Sequence, residues 1–186
     1  MIKKKEFNFN KYFSTISNKF APNDLLIKNL LILKKKILLC NKRKKKIIIF
    51  GNGGSSAIAS HFALDLTNVT KIRCVNFSDS SLITCFSNDY GFDNWINKAI
   101  ELYADNGDLL ILISSSGMSK NMINAIKKSK IEFSSIITFT GFNKKNNLKK
   151  LGDLSFYVDS NIYNVVENVH QIWLLSIIDS LAKNIK

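Results

Sequence analysis

The segment "IIIFGNGGSSAIASHFALDL", Ile47 to Leu66, decides the fold. A β-branched run drops into a glycine cluster, and serines then open a helix of apolar period. A strand that turns through glycines straight into a helix N-terminus offers backbone N–H groups to an anion. The same alternation runs outward from this stretch. Short buried strands are expected at 46–50, 72–77, 109–114, 133–140 and 154–159, with helices at 55–67, 79–87, 93–105 and 118–129. A final helix is expected at 165–182. Two leading helices are expected at 6–20 and from Pro22-Asn23-Asp24 to about Cys40. Continuous apolar strands separated by helices imply a parallel sheet covered on both faces. Ligands of such sheets sit at strand carboxyl ends, near a topological switch point.

Composition bounds the class. The 186 residues contain one proline, and no Gly/Ser linker or internal repeat is visible. They read as a single domain, with leading helices over 1–45 and an α/β core over 46–186. Apolar residues make up 46%, yet no apolar run reaches the roughly 18 residues of a membrane span. The basic N-terminus lacks the apolar stretch and cleavage site of a signal peptide. Cys40, Cys74 and Cys85 are odd in number with no CxxC spacing, which points to reduced thiols and a cytoplasmic protein. The net charge of +13 has two readings. It is a field that steers anionic substrates, or it reflects lysine-rich solvated surface such as Lys34–Lys36 and Lys44–Lys46. No aromatic-interleaved basic motif supports nucleic acid as a partner.

Two loops carry the chemistry. Gly51-Asn52-Gly53-Gly54 fails the dinucleotide fingerprint, because Ser56 stands where its third glycine belongs and no acidic residue closes the second strand. The GKS or GKT of a P-loop is also absent. A second loop, "ISSSGMSKN" (Ile113 to Asn121), again ends a strand and starts a helix. Its hydroxyls, on Ser114, Ser115, Ser116 and Ser119, surround Gly117. N-capping accounts for one or two of these serines; four suggest a phosphate seat.

With "SNDYGF" (Ser87 to Phe92) between them, these motifs occur in the order and spacing of the sugar isomerase (SIS) fold. The chain resembles that family's phosphoheptose isomerase branch along nearly its whole length. The resemblance implies a flavodoxin-like fold with a five-stranded parallel sheet, and N-terminal helices that assemble a homotetramer with sites between subunits. It implies that Asn52, Gly53, Gly54 and Ser55 meet the sugar end of a phosphorylated sugar, with Asn88 and Asp89 nearby. The four serines would hold the phosphate. It further implies an enediol isomerisation of sedoheptulose 7-phosphate or a related heptose phosphate, and in many members a zinc ion.

The catalytic set departs from the pattern. His61 matches the family's first histidine, and Asp65, four residues on and on the same helical face, stands in place of a glutamate. In "YNVVENVHQIWLLSII" (Tyr163 to Ile178), Glu167 takes a glutamine position and Leu175 that of the catalytic histidine. At about 100° per residue His170 and Leu175 face directions about 140° apart, which leaves His170 to face elsewhere, such as a neighbouring subunit. Asp65 and Glu167 are therefore the expected acid–base pair, with His61, Asp65 and Glu167 as candidate zinc ligands. The alternative is an altered or inactive SIS tetramer that binds a phosphosugar or a protein partner.

Overall fold

The computed structural model describes residues 6–182. Five strands form one all-parallel sheet: β1 (Ile47–Gly51), β2 (Cys74–Val75), β3 (Leu109–Ser114), β4 (Ser135–Thr140) and β5 (Leu154–Tyr157), in the order β2-β1-β3-β4-β5. This is the flavodoxin-like order. Its switch point lies between β1 and β3, where the chain leaves in opposite directions. Ile47 pairs with Leu109 and Gly51 with Ile113, so the ends of β1 and β3 lie level.

Period-2 alternation divides the sheet's side chains between two cores. Ile47, Ile49, Ile111, Ile113 and Phe139 pack beneath α2 (Asp24–Lys42), α3 (Gly54–Thr70) and α8 (Tyr163–Ala182). Ile48, Phe50, Leu110 and Leu112 pack beneath α5 (Trp95–Tyr103) and α6 (Lys120–Lys127). Because both faces are covered, β1 and β3 are buried at every position. The remaining helices are α1 (Phe9–Phe20), α4 (Ser80–Tyr90) and α7 (Asn147–Leu151).

Two elements differ from expectation. The second strand keeps only Cys74 and Val75 of the six residues expected, pairing with Ile47 and Ile48. On its outer edge the Thr67 hydroxyl of α3 donates to the Cys74 carbonyl (3.1 Å) and accepts from the Cys74 N–H (3.0 Å). A side chain thus covers backbone groups that an open edge would offer to another strand. Helix α7 lies between the fourth and fifth strands, where the sequence reading assigns no element. It is built on Asn146, whose side chain accepts from the Lys149 N–H (2.9 Å), and on one buried apolar residue, Leu148. Five lysine-rich residues carry no readable period.

Candidate active site

The glycine loop is shaped by what it excludes. A Cβ on Gly51 would run into the Ser55 carbonyl group. Gly53, at φ 54° and ψ −125°, is the N-cap of α3 and holds a backbone conformation closed to L side chains. Gly54 opens the helix, and the space its Cβ would fill is taken by the carboxylate of Glu167 from α8.

The serine loop meets it from β3. Gly117 turns the chain at φ 64°, and its N–H donates to the Ser114 carbonyl at 3.0 Å. Ser119 is the N-cap residue of α6 but does not cap it; its hydroxyl lies 3.1 Å from that of Ser114 instead. Asn8, Asn23, Asp79 and Asn146 do cap α1, α2, α4 and α7. The two helices that open on the loops, α3 and α6, have no side-chain cap. In these first turns the Ser56 N–H donates to the Gly53 carbonyl and the Met122 N–H to Asn121 Oδ1. The amides ahead of them, on Gly54, Ser55, Lys120 and Asn121, are left for something else, and helix N-termini favour anions.

Asn52 and Asn121 join the two loops. Each side-chain amide donates to the other's carbonyl oxygen, at 3.0 and 3.1 Å. Asn121 is buried, and its Oδ1 also accepts from the Met122 N–H.

Between the loops lies a cleft of about 370 Å³ lined by Asn52, Gly53, Gly54, Ser55, the four serines, Tyr163 and Glu167. That is the scale of a small-molecule site. An adjoining cavity of about 360 Å³ holds His61, Asn164, Asn168 and Gln171. Gly54 and Glu167 line both and form the partition between them.

Glu167 is half-buried, and that burial raises its carboxyl above the usual range; the nearby Ser115 hydroxyl offsets part of the rise. His61 Nε2 lies 3.0 Å from Asp65 Oδ2, and its Nδ1 faces Gln171 Nε2 at 3.5 Å. Asp65 lines neither cavity, so it reaches the site only through His61. Leu175 is partly buried against the larger core. His170 is fully buried within the chain rather than open to a neighbour. Its Nε2–H donates to the Thr140 carbonyl (3.2 Å), its ring stands edge-on to Phe139, and burial depresses its pKa to about 4.

Asn88 and Asp89 lie on exposed α4, hydrogen-bonded to each other, and do not line the cleft. As a zinc site the donor set falls short. Among the described residues no three His, Cys, Asp or Glu side chains gather to hold a metal, and Leu175 offers no donor. Asn121 and Tyr163 were missed by the sequence reading. Asn121 sits inside the serine motif, where a buried amide has no pattern of its own, and Tyr163 arrives from the far end of the chain.

The comparisons agree with this geometry. The model of the SIS domain matches residues 11–141. A phosphoheptose isomerase of Fusobacterium nucleatum is 33% identical over 135 residues, covering 69% of this chain and 69% of the relative. In several further relatives of that name the match spans about half to two thirds of the relative's length. The solved phosphoheptose isomerase of Neisseria gonorrhoeae superposes with a TM-score of 0.83 at 28% identity, over 92% of this chain and 95% of that one. That of Francisella tularensis superposes with a TM-score of 0.84 at 26% identity, over 94% and 96%. The chain belongs to the SIS domain family, within its phosphoheptose isomerase subfamily.

Proposed function

We propose that this protein is a sugar-phosphate isomerase that interconverts a ketose phosphate and its aldose through an enediol, with sedoheptulose 7-phosphate the first substrate to test. The observation that carries the reading is the convergence of two uncapped helix N-termini and four serine hydroxyls on one cleft, with a carboxylate at its wall. The names of the relatives add the heptose.

The phosphate sits against the serine loop and the first turns of α3 and α6. The carbon chain then runs toward Glu167. Its carboxylate takes the proton from the hydroxymethyl carbon beside the ketone and returns it to the former carbonyl carbon. A second proton passes between the two oxygens. The C–H bond broken at one carbon is matched by the bond formed at the next, so nothing is oxidised overall. A carboxyl raised above its usual range is the better base, because its pKa lies closer to the operating pH. His61, oriented by Asp65, stands in the adjoining cavity to serve the oxygens, and Asp65 contributes through it.

The second reading is an SIS assembly that binds without turnover, favoured by Leu175 in place of a titratable group. Sedoheptulose 7-phosphate followed by NMR in D2O separates the two. Isomerisation predicts an aldose signal with deuterium entering at its C2. Binding with neither signal, at any pH from 6 to 9, would leave the second reading standing. Assembly into a homotetramer belongs to the same proposal. Support comes from apolar side chains exposed on α1 (Phe9, Phe13) and α2 (Leu25, Leu31); light scattering at a mass of one chain would overturn it. No described helix is long and apolar enough to cross a membrane.

A further inference from the structure

Among the described residues Tyr163 is the one aromatic side chain lining the cleft. It is the first residue of α8, one helical turn before Glu167, so ring and carboxylate share a helical face. The side chain is 57% exposed, too open for a core role. Yet it is not loose. Its ring packs against Phe142, with centroids 4.7 Å apart and planes at 65°.

Phe142 is itself unusual. It holds a φ of 56°, a left-handed conformation that is an outlier for a bulky residue. Glycine or asparagine would take that conformation at less cost. The backbone there is pinned on both sides: the Phe142 N–H donates to the Ser160 carbonyl (2.9 Å), and its own carbonyl accepts from the Tyr157 hydroxyl (2.7 Å). The ring also rests on the main core. Residues held in sparsely populated backbone regions persist where the surroundings fix them, and they cluster at functional sites. Lys44 and Lys71 share that backbone conformation; what sets Phe142 apart is a ring that touches both Tyr163 and the main core.

We infer that Tyr163, propped by Phe142, is a specificity-determining residue: its ring packs against the C–H face of the sugar chain between the phosphate seat and Glu167. This rests on the phosphosugar reading of the cleft. A π-face carries partial negative charge and does not bind phosphate, so the ring selects for carbon skeleton and the serine loop for the phosphate. It gives the site a way to prefer a long-chain phosphosugar over inorganic phosphate or a short phosphate ester.

Calorimetric titration with sedoheptulose 7-phosphate and with inorganic phosphate tests this. Tyr163→Ala should weaken the phosphosugar roughly three- to tenfold, the range of aromatic contacts, and change inorganic phosphate less than about twofold. Tyr163→Phe should retain most of the phosphosugar affinity. Phe142→Asn tolerates the backbone but removes the prop. It should reproduce the Tyr163→Ala loss, and the double variant should add little, as expected for residues acting as one unit. Equal weakening of both ligands by Tyr163→Ala, or no weakening of either, overturns the inference. If the wild-type protein binds neither ligand, the phosphosugar reading itself falls.

Discussion

At the scale of single residues, Glu167 ties chemistry to stability. Its carboxyl is raised by burial, so the folded state holds that proton more tightly than the unfolded chain does. The group's contribution is therefore best below its ordinary pKa and declines as pH rises through the raised one. Glu167→Gln should lower kcat by about 100-fold or more and also raise the melting temperature at pH 8 relative to pH 4. Equal turnover in the variant would remove Glu167 from the reaction. His170 behaves oppositely. Its pKa falls from 6.5 to about 4, so the folded state takes up fewer protons in that window. Stability is full above pH 6.5 and drains as pH falls toward 4; melting curves of His170→Phe should lose that part of the slope. Gly54→Ala should cost activity with the fold intact, since the added methyl displaces the Glu167 carboxylate. The closeness of His61 and Asp65 was legible from helical spacing, whereas Glu167 was singled out through the family resemblance. That Asp65 touches His61 yet lines neither cavity was not legible, because period gives a face and not a reach. The helical angle argued against His170 as a stand-in for Leu175, but its full burial within the chain was not foreseen.

At the scale of elements, two loops that the sequence marks separately are one object. Both were visible as small-residue clusters after apolar runs. The bond between them was not, because Asn52 and Asn121 are 69 residues apart. Ser116→Ala with Ser119→Ala should abolish the rise in melting temperature produced by sugar phosphates, a mass-action effect of binding the native state. An undiminished rise would place the phosphate elsewhere. Asn121→Ala leaves Asn52 short of its partner and should cost roughly 1–2 kcal/mol in denaturant unfolding. The shortened β2 and the unassigned α7 have something in common. Their limits are set by single side-chain contacts from Thr67 and Asn146, which no window of hydrophobicity records.

For the whole molecule, the sheet order followed from strand–helix alternation plus the resemblance; alternation alone gives a parallel sheet without saying which strand lies at its centre. The charge of +13 has its consequence at this scale. A positive field draws in a dianionic substrate and is screened by salt, so KM for a phosphosugar should rise between about 20 and 300 mM salt. A flat profile would leave the lysines as solvated surface. Helix α8 closes the account. It returns from the end of the chain to lie on α3 and supplies Glu167 and Tyr163 to a cleft otherwise built before residue 120. A nascent chain emerges N-terminus first, so both cleft loops leave the ribosome while Glu167 is still unmade. On the proposed mechanism the cleft loops and the base are thus made at different times. A chain cut short of α8 loses with Glu167 the buried Val166, Val169, Trp173 and Leu174 that complete the core, so it would be neither a catalyst nor a finished fold.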